Sequence, residues 1–291
     1  IWSEGTTVHR ITVNNGKYTW VATSNGAWEI TPTGYTHYTT ANGLPANEVY
    51  QCLPDSKGNV WMATANGIAC YTKEGVKKYK MPAILPVARI YHLHLDTKGQ
   101  LWIAASTGVY KLVNGEVVKA PELERFQLEE VTSMAEDKYG NLYFGGFNYG
   151  IAVLNDRWGK PKIFTREDGL PNEGIKGLYV DSKDNLWVGT SRNVLKIFLP
   201  KLREHKKLSF RSYHGANGFR GIEINNNAIT QTPDGSIWFG TTKGLTKYLP
   251  KLDKRNKVFP TVMLNDIMLF QKPTDWQQLG YPPDSATGLP R

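Results

Sequence analysis

One short pattern recurs along the chain: an Asp-led turn, a strand that carries an aromatic residue, and a third strand that begins with glycine. Two adjacent copies read DSKGNVWMATANGIACYTKEG (residues 55–75) and DTKGQLWIAASTGVYKLVNG (residues 96–115). The aromatic column comprises Trp20, Trp61, Trp102, Tyr143, Trp187 and Trp238, at steps of 41, 41, 41, 44 and 51 residues. A period of this length is typical of propellers, solenoids and other arrays.

The local pattern within each copy distinguishes among these arrays. Every copy consists of short apolar runs separated by Gly, Asn and Asp, without a segment of helical period. Two residues beyond each aromatic position stands a small residue, which a strand crowded between neighbouring sheets needs; the column is Ala22, Ala63, Ala104, Gly145, Gly189 and Gly240. The sequence therefore predicts an all-β fold, a β-propeller of six recognisable four-stranded blades, forming a ring of six or part of a ring of seven.

The repeats also set the predicted domain limits. Residues 1–256 are predicted to form the propeller, and residues 257–291 the start of a following β-sandwich, incomplete in this chain, or a C-terminal tail. No apolar run approaches the roughly 18 residues of a membrane helix, and the N-terminus lacks the features of a signal peptide. We therefore expect any targeting or membrane segments to lie outside the given chain.

The two cysteines are predicted to be buried free thiols. Cys52 and Cys70 fall on the first and third strands of one blade. They would stand two strand spacings apart, or about 9.5 Å, which is too far for a disulfide. Lys and Arg exceed Asp and Glu by 9, so the electric field of the molecule favours acidic partners.

The repeats resemble a known family. Residues 42–71 and 167–197 are similar to the two-component regulator propeller repeat, which fills the extracytoplasmic sensor region of hybrid two-component histidine kinases, best known from glycan-degrading gut Bacteroidetes. Residues 259–273 resemble the start of the sandwich that follows the propeller there. The resemblance implies a periplasmic module that senses an oligosaccharide, neutral or acidic, and signals with the rest of its sensor chain. It implies membrane contact only through missing segments, and leaves homodimerisation open.

Catalytic motifs are absent from the sequence: it contains no HExxH, GxSxG, CxxC or Walker-type phosphate loop. We expect no enzymatic activity of this region, no cofactor and no metal, although His92 and His94 share a strand face and could share a metal if a third ligand existed. The alternative functions are a propeller lyase resembling virginiamycin B lyase, or a protein-interaction scaffold. Nucleic-acid binding is not expected, because the basic residues follow the outer loops rather than one stripe.

The expected ligand site lies on one face of the propeller. Strand order places the Gly-Leu-Pro loops and the turns between second and third strands on this face, and the Asp turns on the other. Residues there vary between repeats, as a site grafted onto a scaffold would. An aromatic ring near Arg and Asn suits a sugar or uronate. The candidate binding residues are Asn47, Arg89, Phe147, Asn148, Tyr149, Asn172, Glu173, Arg192, Arg220 and Asn225.

Overall fold

The computed structural model describes residues 5–14, 18–77, 79–215, 219, 221, 223–253, 268–269 and 272–273. The chain divides into two compact units, Ile1–Pro250 and Lys251–Arg291. In the second unit the described residues form one short antiparallel strand pair. The predicted start of a sandwich at residues 257–291 otherwise lies outside the described residues.

The first unit is built from six consecutive antiparallel sheets. In each sheet the strands follow one another in chain order, so every sheet is a meander. Five sheets have four strands, and the sixth has three strands among the residues that the structure describes. The predicted all-β propeller fold is confirmed, and the sheets are called blades 1 to 6 below.

Blades 1 to 5 contain β1–β4, β5–β8, β9–β12, β13–β16 and β17–β20, blade 6 contains β21–β23, and the second unit contains β24 and β25. The strands are β1 (Val8–Asn14), β2 (Tyr18–Thr23), β3 (Gly26–Thr31), β4 (Gly34–Tyr38), β5 (Val49–Pro54), β6 (Val60–Thr64), β7 (Gly67–Thr72), β8 (Gly75–Lys77), β9 (Ile90–Leu95), β10 (Leu101–Ala105), β11 (Gly108–Val113), β12 (Glu116–Lys119), β13 (Val131–Glu136), β14 (Leu142–Gly146), β15 (Ile151–Leu154), β16 (Lys162–Phe164), β17 (Ile175–Val180), β18 (Asn185–Thr190), β19 (Val194–Phe198), β20 (Phe210–Tyr213), β21 (Ile224–Gln231), β22 (Ile237–Thr241), β23 (Gly244–Tyr248), β24 (Met268–Leu269) and β25 (Lys272–Pro273).

The α-helix α1 (Leu199–His205) follows β19 and has seven residues. Its first turn contains a proline, which a helix tolerates there because the first backbone N–H groups have no partner within the helix. None of the helices in the described part of the chain has the length and apolar character needed to cross a bilayer.

In blades 3, 4 and 5 a hydrogen bond joins the Asp turn to the aromatic column, which explains why the two recur together there. The carboxylate of Asp181 accepts from the backbone N–H of Asn185 (2.9 Å) and from the indole Nε1–H of Trp187 (2.8 Å). In blade 4 the phenol of Tyr143 donates to Asp137 at 3.0 Å. Tyrosine can therefore replace tryptophan in the repeat, since both reach the same acceptor.

The hydrophobic core is divided among the junctions between blades. Five clusters of buried side chains each lie between two consecutive blades. The small-residue column permits this close packing: a Cβ added at Gly189 would come within 2.8 Å of a methyl carbon of Ile224 in the next blade. Cys52 and Cys70 are buried and free, as predicted.

The outward faces of the first and last blades are uncovered. In β1 the exposed fractions of Ile11 and Val13 are 60% and 63%, and in β23 that of Leu245 is 76%. At the matching register of inner blades, Leu93 is 1% exposed and Val194 is fully buried. Covering by a neighbouring blade therefore accounts for the burial of the inner positions.

Candidate functional site

The candidate site lies on the face where turns of one blade meet loops of the next. The backbone N–H of Gly67, at the start of β7, donates to the carbonyl of Ala88 in the loop before β9 (2.7 Å). Gly150 and Glu173 are joined in the same way between blades 4 and 5 (3.1 Å). The loops of this face are therefore held by the blade scaffold, as the strand order predicts.

The loop before β17 is stiffened by its own sequence. Thr165 caps the short 3-10 helix Arg166–Asp168: its hydroxyl accepts from the N–H of Glu167 (3.3 Å), and Asp168 accepts from the N–H of Thr165 (3.1 Å). Gly169 ends this turn at φ 91°, a conformation that favours glycine. The side chains beyond it are consequently presented from a fixed backbone.

Each first strand contains a bulge near its start. The pairing register between first and second strands shifts at the same place in all six blades. A bulge re-aims the extra side chain away from the regular alternation. The extra residues of blades 1 to 5 are His9, Tyr50, Tyr91, Thr132 and Lys176.

Two of these bulge residues form a phenol and carboxylate network. The hydroxyl of Tyr91 donates to Glu130, and burial together with this bond raises the pKa of Tyr91 to about 12. Burial and a hydrogen bond to Glu48 likewise raise the pKa of Tyr50 to about 12. Arg89 lies beside both rings, and its interaction with Tyr50 is the main cause of its raised pKa. At neutral pH both phenols therefore remain protonated donors.

A pocket of about 390 Å³ opens between blades 4 and 5, within the size range of small-ligand sites. Its lining combines an aromatic ring, amides and charged groups, and consists of Phe147, Asn148, Arg166, Asn172, Glu173, Gly174, Lys176 and Ser191. Four of the predicted site residues, from two different blades, thus meet in one cavity.

The pocket is held by internal contacts that also balance its charges. The side-chain oxygen of Asn172 accepts from the N–H of Gly174 at 2.8 Å. The Nε of Arg166 lies 3.6 Å from a carboxylate oxygen of Glu173, and Lys176 forms an ion pair with a glutamate at the start of blade 6. The ring of Phe147 remains 37% exposed. The pocket therefore offers donors, acceptors and a ring face with little net charge.

Two predicted residues have contacts of another kind. Tyr149 packs against Gly146 rather than in the pocket, and its hydroxyl is buried without a hydrogen-bond partner among the described residues. Burial raises the pKa of this phenol. The side-chain oxygen of Asn47 accepts from the N–H of Thr40 at 2.8 Å, which closes its own loop. The structure does not bring either residue into the pocket.

Three further predicted residues, Arg89, Arg192 and Asn225, lie elsewhere on the same face. Arg89 and Arg192 are exposed, and Arg192 directly follows a residue that lines the pocket. Asn225 is exposed in the irregular first strand of blade 6, and Arg220 lies outside the described residues. The reasoning from sequence missed Lys176. The sequence does contain a signal for an irregular first strand: apolar residues follow one another there, as in LYV at residues 178–180, instead of alternating strictly with polar ones.

The two histidines of β9 contact different groups. His92 is buried, and its Nδ1 accepts from the N–H of Met134 at 2.9 Å. His94 lies 3.2 Å from a carboxylate oxygen of Glu136. Among the described residues, no group of three or more His, Cys, Asp or Glu side chains is arranged to hold a metal ion.

Stability should fall in mild acid because of His92. Burial, with the charges of Arg10 and His94, lowers its pKa well below 6.5. The unfolded chain then binds a proton below about pH 6.5 that the native state does not, so the stability present above this pH is lost as the pH falls towards the native pKa. We expect a loss of about 1.4 kcal/mol in total between pH 7.5 and pH 5.5, measured by urea unfolding at these two pH values.

Two variants distinguish the contribution of His92 to this pH dependence from that of the other histidines. His92→Asn should reduce the loss of stability between the two pH values by that amount, whereas replacement of the exposed His205 should leave the loss unchanged. Equal slopes in wild type and His92→Asn would contradict the assignment.

The family comparison supports the assignment of the repeats. The two component regulator propeller family matches residues 43–66 and 169–192, which include the Gly-Leu-Pro loops of blades 2 and 5. No curated protein matches the chain.

Several solved structures share the fold. The extracellular domain of BT3049, described as a hybrid two component system of B. thetaiotaomicron, superposes with a TM-score of 0.51 at 20% identity, over 85% of this chain and 39% of that one. The corresponding domain of BT4673 gives 0.54 at 17%, over 86% and 42%. Inactive virginiamycin B lyase from Staphylococcus aureus with quinupristin gives 0.63 at 18%, over 87% of both chains.

These identities establish a shared fold and no more. The chain spans about two fifths of the two extracellular domains that it matches. Its blades and the two matched segments support one assignment: blades 2 and 5 of this β-propeller carry segments that match the two component regulator propeller family.

Proposed function

We propose that this propeller is the ligand-sensing module of an extracytoplasmic two-component sensor, which binds an oligosaccharide in the pocket between blades 4 and 5 and catalyses no reaction itself. The matched repeats support the sensor assignment. Structures that share the fold include extracellular domains of proteins described as hybrid two component systems, which favours a position outside the cytoplasm.

The composition of the pocket is the observation that supports an oligosaccharide as the ligand. An exposed face of Phe147 can stack on the apolar face of a sugar ring. The amides of Asn148 and Asn172 supply both donors and acceptors, as sugar hydroxyls require. Arg166 and Lys176 are each paired with a carboxylate. Recognition through hydroxyl groups therefore accounts for the pocket better than recognition of a charge alone.

The position of the pocket suggests how binding reaches the rest of a sensor. In blade 4 its residues come from the turn after β14, and in blade 5 they come from the loop before β17, from β17 itself and from the turn after β18. A ligand that touches both blades stabilises one arrangement of this junction over others. It can shift the equilibrium of the sensor by no more than its difference in affinity for the two arrangements.

The test is thermal unfolding and calorimetry of the purified chain with neutral, uronic and sulfated oligosaccharides. A ligand of the native state raises the melting temperature. We expect one glycan class to do so, and Phe147→Ala to weaken its binding about fivefold, since an aromatic contact contributes on the order of 1 kcal/mol.

The matched control is Tyr139→Ala. This ring is 56% exposed but lies in the Asp turn of blade 4, on the opposite face. It should leave glycan binding unchanged. Absence of binding by any glycan to the folded chain, or equal losses in both variants, would contradict the proposal.

A further inference from the structure

A second cavity, of about 310 Å³, lies at the junction of blades 2 and 3 and shares no residue with the pocket between blades 4 and 5. Its lining is mainly apolar and includes the buried side chains of Trp61, Ile68, Cys70 and Val117. The volume is about twice the roughly 150 Å³ of a cavity that encloses one benzene ring. The cavity can therefore accept a ligand of two fused rings.

The cavity exists because blade 2 departs from a pairing that other blades share. In blades 3, 5 and 6 the third-strand residue paired with the tryptophan is a lysine, namely Lys111, Lys196 and Lys247. Each places its Nζ over the indole, at 5.6, 5.3 and 4.9 Å from the ring centroid. In blade 2 the residue paired with Trp61 is Cys70. Its short side chain cannot cover the ring in this way, so space remains where the two residues line the cavity.

Part of the wall comes from the connection between β8 and β9, which is fixed near both ends. This connection contributes three lining residues, Tyr79, Met81 and Pro86. Near its start the carbonyl of Lys80 accepts from the N–H of Val117 in blade 3 (2.8 Å). At its end the carbonyl of Ala88 accepts from the N–H of Gly67 in blade 2 (2.7 Å). The cavity is consequently preformed, and a ligand loses little affinity to ordering its walls.

The polar groups of the lining indicate the charge of the ligand. Lys77 is the one charged residue among the described residues that line the cavity. Its Nζ lies 5.0 Å from the ring centroid of Tyr79, and it forms no ion pair with a described carboxylate. The hydroxyl of Tyr79 donates to Sγ of Cys70 at 3.9 Å, so these two groups contact each other. An apolar interior with one ammonium group at its edge suits an apolar ligand that carries one negative charge.

We propose that this cavity binds an aromatic carboxylate of up to two rings, with its ring system in the apolar interior and its carboxylate paired with Lys77. The ring system takes the place that a lysine side chain occupies in blades 3, 5 and 6. The rings of Trp61 and Tyr79, whose centroids are 4.9 Å apart, favour a flat aromatic body through edge and face contacts. The site does not depend on the proposed sensing function.

The test is calorimetric titration of the purified chain with 2-naphthoate, 2-naphthalenemethanol and 2-naphthylmethylammonium, which share one ring system and differ in charge. We expect one site, at which naphthoate binds most tightly and the ammonium probe most weakly. Lys77→Met should weaken naphthoate binding about fivefold, the effect of a solvent-exposed ion pair, and leave binding of the alcohol unchanged. Lys73→Met removes an exposed lysine of the same blade that does not line the cavity, and it should change neither affinity.

A pair of variants at Cys70 tests the position of the ring system. Cys70→Met places a longer side chain beside Trp61 and should weaken binding of both naphthoate and the alcohol at least tenfold. Cys70→Ala leaves the space open and should bind both. Thermal unfolding checks that these variants fold, and Lys77→Met, a change at an exposed residue, tests the site even if Cys70→Met is unstable. Tightest binding of the ammonium probe, equal naphthoate affinity in the wild type and Lys77→Met, or no naphthoate binding to the wild type would overturn the proposal.

Discussion

Replacing Trp187 with alanine will lower the free energy of unfolding by about 3–5 kcal/mol, the usual loss for a large buried aromatic side chain. Trp187 is fully buried, donates to Asp181, and packs against the rings of Tyr248 and Phe239 at centroid distances of 4.7 and 5.5 Å. The change removes the core of the junction between blades 5 and 6. Urea unfolding monitored by circular dichroism will measure it.

Trp238 is the matched control, since it holds the same place in the next repeat. It is half-buried, donates to Thr232 at 3.2 Å and is covered by Lys247, whose Nζ lies 4.9 Å from the ring centroid. Trp238→Ala should cost only about 1 kcal/mol. Equal losses in the two variants would show that the outer face of blade 6 is covered in solution, contrary to the 76% exposure of Leu245 beside it.

Arg203→Met should also destabilise the propeller by about 3–5 kcal/mol, because it leaves the buried carboxylate of Asp137 without a cation and Asp184 with only the more distant Lys138. Arg203 extends from α1 to the Asp turns: it donates to Asp137 at 2.7 Å and to Asp184 at 3.2 Å. The side chains of these two acids are 0% and 7% exposed. Arg203→Lys should recover part of the loss, since it keeps the charge without the forked geometry.

The control for Arg203 is an ion pair on the surface. Lys80 lies 3.0 Å from Glu116, and the side chains are 79% and 42% exposed. Solvent screens such a pair, so Lys80→Met should cost less than about 1 kcal/mol. Chemical unfolding at neutral pH compares the two variants directly. If Arg203→Met costs no more than Lys80→Met, the link between α1 and blade 4 does not stabilise the fold.

The blades could be predicted from sequence because one local bond recurs in the repeat. An Asp that accepts from an aromatic side chain six residues later requires both residues at fixed spacing, as at Asp96 and Trp102. The fourth copy fits the repeat although it has Tyr143 in place of tryptophan, because the tyrosine hydroxyl makes the same bond. The exposed faces of the first and last blades could not be predicted from the pattern, since the repeat describes a blade and not its neighbours.

The site was predictable only in part. Phe147 and Asn172 follow from the strand order, which places their turn and loop on one face. Tyr149 points inward because Gly146 leaves space for its ring, a packing relation that residue type does not reveal. Lys176 reaches the pocket through a bulge, and Arg166 through the capped turn before it. A bulge and a capped turn therefore account for the two cationic pocket residues that sequence reasoning missed.

The bulge has a consequence for how such a protein can change over evolution. Its extra residue stands outside the pairing of the first two strands, and histidine, tyrosine, threonine and lysine all occupy this place within the one molecule. Where this side chain is partly exposed, as at Tyr50, Tyr91 and Lys176, a substitution alters the surface that a ligand meets without shifting the strand register. New specificity can consequently arise from single changes at one position per blade, while the scaffold is inherited intact.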